Sequence, residues 1–154
     1  MPFADEDMRQ RILSRLATSW YFEGAQLQLE QKYSEALSCM MKASDGFHEI
    51  GEVKNEIEVW CQIGTIRNFM YDLMGAVDAY HSASLLADSY NYDTKLMEIL
   101  REEYKLSEEL GYSEKLFAIS QKMDSLVALT DDVKMKFTYY NHLGDEAKGQ
   151  GNYK

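Results

Sequence analysis

An all-α fold is what this sequence predicts, on three observations. Ala, Leu, Met, Glu, Lys and Gln are plentiful, Val and Ile are sparse, and the single proline is Pro2, so long stretches carry no helix breaker. Trp60, Ile63, Gly64 and Arg67 fall three or four apart, one face of a helix of about 3.6 residues per turn. The pattern then returns every forty residues. A chain of 154 residues, 45% apolar with 11 Tyr, 6 Phe and 2 Trp, is large enough to bury a core and is no disordered tail.

The elements follow from the repeat. SWYFEGAQLQLEQKYSEALSCMMKAS aligns with VWCQIGTIRNFMYDLMGAVDAYHSAS: Trp20 falls on Trp60, Gly24 on Gly64, Ala36 on Ala76, Ala43 on Ala83 and Ser44 on Ser84. In the second copy a turn near Tyr71 and Asp72 separates a first helix from a second whose stripe is Ala76, Tyr80 and Ala83. Gly64 and Ala76 allow close backbone approach, and Trp60 and Tyr80 fill the space beside the crossing. Each copy is therefore an antiparallel helical hairpin that cannot bury both faces alone, so hairpins stack. The expected units are 5–50, 51–90, a degenerate 91–130, and a lone first helix in 131–154.

The third copy, ILREEYKLSEELGYSEKLFAISQKMDS, puts Tyr104 in the glycine slot, Leu116 in the facing alanine slot and Ser120 where the aromatic belongs. Two bulky groups at a close crossing are expected to spread that hairpin or shift its register. The fourth copy has Tyr140 in the aromatic slot, Gly144 in the glycine slot and Tyr153 where Tyr33 sits, with Phe137, Tyr140 and Leu143 available for packing. The closing HLGDEAKGQGNYK reads as a helix entering the turn to a second helix. Since a terminal cap has a polar outer face, a piece of a longer array is expected here rather than a cap.

These residues resemble the tetratricopeptide repeat family: Trp20, Gly24, Tyr33, Ala36 and Ala43; Trp60, Ile63, Gly64, Ala76, Tyr80 and Ala83; and HLGDEAKGQGNY. The longer period is similar to the subclass found in cell-polarity adaptors and kinesin light chains. The resemblance implies hairpins stacked in a right-handed superhelix, an α-solenoid whose first helices line a concave groove that holds a segment of a partner protein. The groove positions it implies are Tyr21, Ala25 and Gln28; Cys61, Thr65 and Asn68; Arg101, Lys105 and Glu108; and Asn141, Asp145 and Lys148. Tyr21 would anchor, Gln28, Thr65, Asn68 and Asn141 would hydrogen-bond, and Arg101 and Lys105 would orient the ligand electrostatically. Members that clamp a chaperone's C-terminal carboxylate use cations and amides where this chain has Tyr21, Ala25, Gln62, Glu98 and Glu102. Carboxylates there would repel such a ligand.

Charge and chemistry exclude other classes. A net charge of −10 disfavours nucleic acid and anionic membranes. No apolar run approaches the roughly 18 residues of a membrane span, and MPFADEDMRQ has neither the basic start nor the apolar centre of a secretory signal. With Cys39 and Cys61 read as reduced thiols, a cytoplasmic protein is expected. His48, His81 and His142 lie in separate units, as surface or half-buried residues without metal-ligand spacing. Glu102-Glu103 and Glu108-Glu109 read as solvated helix faces. No nucleotide-binding motif, catalytic constellation or cofactor is indicated. The expectation is a non-catalytic interaction scaffold. The alternative is a structural spacer or self-assembly element, self-associating through the incomplete last repeat.

Overall fold

A computed structural model describes residues 2–149, with side chains from residue 5 onward. Among the described residues the chain is all-helical: α1 (Pro2–Leu29), α2 (Tyr33–Ile50), α3 (Val53–Phe69), α4 (Leu73–Ser89), α5 (Asp93–Glu109), α6 (Ser113–Ala128) and α7 (Val133–Gly149). Tyr153 and the expected Gly-Asn-Tyr turn lie outside the described residues.

The forty-residue period governs the helix boundaries. Starts recur at 53, 93 and 133, and at 33, 73 and 113. The turns recur with them: residues 31, 71 and 111 have φ of 62°, 60° and 73°, and residues 51 and 91 have φ of 72° and 57°. At each, the left-handed residue donates its N–H to a carbonyl three back and the next residue donates to one five back, as Tyr71 to Asn68 and Asp72 to Arg67. Two otherwise orphaned carbonyls are thereby satisfied at the helix end. Gly51 and Gly111 take this conformation freely, Asn91 tolerates it, and Gln31 and Tyr71 hold it against their Cβ atoms. Before α7 the device changes: Asp132 caps the helix, its Oδ1 accepting from the Met135 N–H at 2.8 Å.

The chain divides into two compact units, Met1–Leu86 and Ala87–Lys154. In the first, the core is Ala17, Ala36, Met40, Ala43, Phe47, Val59, Ile63, Ile66 and Ala79, with Trp20, Tyr21 and Trp60 packed against it. The α1–α2 crossing is close because Gly24 lacks a Cβ. One built there would lie 3.2 Å from the Ala36 carbonyl and 3.1 Å from the Met40 methyl. The α3–α4 crossing solves the problem differently from the expected Gly64–Ala76 approach. Tyr80 itself lies on Gly64, so a Cβ would sit 2.7 Å from its ring, and the Tyr80 hydroxyl meets Thr65 Oγ1 at 2.9 Å.

In the second unit α5 buries Leu96, Met97, Ile99, Leu100, Glu103, Tyr104, Leu106 and Ser107, against Ile119 and Met123 of α6 and Met135, Thr138 and His142 of α7. In the third hairpin the helix starts keep the forty-residue spacing, and bulk has changed sides: buried Tyr104 stands where Gly64 stood and hydrogen-bonds Ser120, which replaces Tyr80. Two expectations need correction. Glu103 is not solvated but 1% exposed, its carboxylate 3.3 Å from Lys115 Nζ. His142 is not a surface histidine either: it is 3% exposed, edge-on to Tyr104 with ring centroids 4.4 Å apart.

Candidate functional site

The sequence-derived ladder has members in each of the two units. In the first unit, Thr18, Tyr21 and Phe22 of α1, Phe47 of α2 and Asn55 and Glu58 of α3 line a cleft of about 180 Å³. Its origin is local. Helices α1 and α3 both pack on α2, and Phe47, 3% exposed, closes the floor between them. Tyr21 is half-buried and packs edge-on against Phe22, centroids 5.6 Å apart. Phe22 stands at the mouth, 65% exposed. On the opposite wall the Glu58 carboxylate accepts a hydrogen bond from Gln62 at 3.3 Å. The cleft thus combines an aromatic wall, an apolar floor and one carboxylate.

Only Tyr21 of this set was named from sequence. Thr18 and Glu58 lie one turn before Tyr21 and Cys61 on the same stripes, so extending the ladder toward the helix N-termini would have found them. Phe47 belongs to a second helix, and no first-helix pattern points to it. Of the other ladder residues here, Ala25, Gln28, Cys61 and Thr65 are half-buried and Asn68 is exposed. The Thr65 hydroxyl already bonds both the Cys61 carbonyl, at 3.0 Å, and Tyr80.

In the second unit the ladder turns inward on itself. Arg101, expected to meet a ligand, holds Asp145 at 2.5 Å. Its Nε is buried with no hydrogen-bond partner among the described residues. Lys105 lies 3.3 Å from Glu102. The Arg101 hydrogen bond keeps the Asp145 carboxyl below the ordinary carboxylate range, with Lys105 and Lys148 adding to the effect. Both cations thus lie beside carboxylates of this acidic chain, Arg101 the more buried of the two. Asn141 is half-buried and Glu108 and Lys148 are exposed.

The Arg101–Asp145 pair is one rung of a polar zipper that docks α7 on α5. Thr94 donates to Asp132 at 3.0 Å, Lys134 meets Glu98 at 2.8 Å, and the Tyr104 hydroxyl donates to Glu146 at 3.2 Å. Burial lowers the His142 pKa, against the pull of Glu146. On its far side α7 is bare: Phe137 is 66% and Tyr140 63% exposed, while Met135, Thr138 and His142 are the residues it buries. Among the described residues no second helix faces this side. Gly144 occupies the slot that elsewhere faces a hairpin's own second helix, and a Cβ there would meet nothing within 4 Å.

Reactive groups are few. Cys39 is buried and Cys61 half-buried, without a disulfide, and burial pushes the Cys39 thiol pKa up, away from the nucleophilic thiolate. Among the described residues no group of His, Cys, Asp and Glu could hold a metal ion, and no helix is long and apolar enough to cross a membrane. Comparisons with protein-family models, curated proteins and solved structures found no match.

Proposed function

We propose that this chain is a tetratricopeptide-like array, with its hairpins stacked in a right-handed superhelix, that acts in the cytoplasm as a non-catalytic protein-interaction scaffold without a cofactor. The observation that carries this reading is the α1–α3 cleft. Exposed Phe22 beside Tyr21 and over Phe47 forms a socket the size of one large side chain, the kind of desolvated pocket in which interfaces concentrate their binding energy. Glu58 on its wall and the net charge of −10 set the rest of the ligand's chemistry. The partner is a segment that presents Leu, Met or Phe beside Lys or Arg. The recurrence of helix starts and left-handed turns at a fixed spacing supports the array itself.

The test is selection from a displayed peptide library, with the winners measured against variants by calorimetry. The winners are expected to carry a large apolar residue next to a cation. Tyr21→Ala and Phe22→Ala should each cost about 2 kcal/mol, as for an interface hot spot. Arg101→Glu should leave affinity unchanged, because Arg101 is engaged with Asp145. Winners indifferent to both α1 variants would sink the reading.

A further inference from the structure

Among the described residues, the apolar lining of the α1–α3 cleft is aromatic throughout. Tyr21, Phe22 and Phe47 form it, beside Thr18, Asn55 and Glu58, and no Leu, Ile, Val or Met joins them. The core beneath is different, with Met40, Val59, Ile63 and Ile66 among its members. The Tyr21 and Phe22 rings stand at 75° to each other, centroids 5.6 Å apart. Two rings at so steep an angle enclose a corner that a compact, rounded group can fill. Aromatic rings carry negative charge on their faces and attract a cation within about 6 Å of the centroid. Helix α1 already meets one cation in this way: Lys42 Nζ lies 4.3 Å from the ring centroid of Trp20.

The polar part of the lining selects the kind of cation. Its one carboxylate is Glu58, and among the described residues no Lys, Arg or His lines the cleft. That carboxylate already accepts from Gln62. The Thr18 hydroxyl gives its proton to the Ser14 carbonyl at 2.8 Å, and the Asn55 amide donates to Glu52 at 2.7 Å. A primary ammonium brings three N–H donors, each costly to bury without an acceptor, and Glu58, shared with Gln62, is too little for three. A trimethylated ammonium keeps the charge, has no N–H to satisfy and lays its methyl groups against the rings. The mouth is open at Phe22, 65% exposed, so a peptide backbone can pass outside while one long side chain enters.

We propose that the cleft binds a trimethylated lysine of a partner segment, its ammonium seated in the corner of Tyr21 and Phe22 above Phe47, with Glu58 balancing the charge. The inference rests on the reading of this cleft as the partner socket and narrows it. One side chain then supplies both the apolar bulk and the positive charge.

The test is a titration of the whole chain with three short glycine–alanine peptides, capped at both ends and differing only in the central residue. That residue is trimethyllysine, lysine, or the uncharged isostere in which a tert-butyl group replaces the trimethylammonium. Binding is read by NMR from the ring protons of Tyr21, Phe22 and Phe47. Trimethyllysine is expected to shift those signals and to bind about fivefold or more tighter than either of the others, as for a cation held on aromatic rings. Phe22→Leu keeps an apolar group at the mouth but removes a ring, so it should weaken trimethyllysine more than the isostere and narrow the gap between them. An isostere that binds as tightly as trimethyllysine would overturn the proposal and leave the cleft an apolar socket, with the scaffold reading standing. Lysine binding as tightly would mean that the methyl groups are not read, and a gap that survives Phe22→Leu would place the cation away from the rings; either overturns it. Free choline binding as tightly as the trimethyllysine peptide would overturn the peptide source. Unmoved ring signals with all three peptides would also overturn it, while the scaffold reading is judged separately by the displayed library, which contains no methylated lysine.

Discussion

At the residue scale the fold conserves bulk at a crossing while letting it change sides. In the second hairpin the aromatic is Tyr80 on the second helix and the gap is Gly64 on the first; in the third the aromatic is Tyr104 on the first and the gap is Ser120 on the second. Gly64→Ala should therefore destabilise, because the added Cβ would fall 2.7 Å from the Tyr80 ring. A loss of about 1–3 kcal/mol is expected from such overpacking, read from urea unfolding. In a Tyr80→Ser background the same change should become neutral or favourable by up to about 1 kcal/mol, since only the helix propensity gain of Ala over Gly is left. Equal effects in both backgrounds would mean that the glycine serves something other than the ring. Reading the sequence one slot at a time foresees a clash of Tyr104 with Leu116. The compensation is legible only when Tyr104 and Ser120 are read as a pair.

At the element scale α7 is the informative helix, because it docks through polar groups and one buried imidazole. His142 faces Arg101, Tyr104 and Glu108 from α5 and Asp145 and Glu146 on its own helix. Its folded pKa is lowered from the ordinary 6.5, first by burial. Below 6.5 the unfolded chain takes up a proton that the folded chain refuses, so stability falls with pH until the folded pKa is reached, then levels. Asp145, with its carboxyl lowered by Arg101, adds a second loss in more acid solution, as pH falls from 3.8 through its own folded value. Hydrogen exchange of α7 amides should accordingly quicken as pH drops through the imidazole range, after correction for intrinsic rates. His142→Gln should flatten that slope, and an unchanged slope would count against burial of a neutral ring. Asp132→Ala, which removes the cap on Met135, should cost about 1 kcal/mol and raise exchange in the first turn of α7.

The helix boundaries were legible in advance because they rest on local causes, a periodic stripe and a turn residue at fixed spacing. The packed face of α7 was not. Phe137, Tyr140 and Gly144 carry the same signature as their buried counterparts, and only the absence of a facing helix among the described residues turns them outward. The partner of Arg101 was hidden for a related reason. Sequence shows a cation in an acidic chain, but Asp145, which engages it, lies on another helix. The cleft was half legible: the ladder led to Tyr21, while its floor, Phe47, arrives through the packing of α2 between α1 and α3.

At the scale of the whole molecule, salt separates charge from apolar contact at the cleft. The chain carries −10, and salt screens such a field, with a Debye length of about 10 Å at 0.1 M and about 3 Å at 1 M. A cationic partner segment approaching Glu58 in the cleft has its encounter steered by that field, so its affinity should fall as salt rises, mostly through a slower on-rate. An uncharged segment meets the opposite balance, because a salting-out anion strengthens apolar burial. Measuring the trimethyllysine peptide and its uncharged isostere along one sodium sulfate series gives two slopes, expected to have opposite signs. A trimethyllysine affinity that rises with salt would leave the cleft a purely apolar socket and remove the reason for a cation in its ligand. Two affinities that fall together would mean that the acidic surface acts on the rest of the peptide and not on the side chain in the cleft.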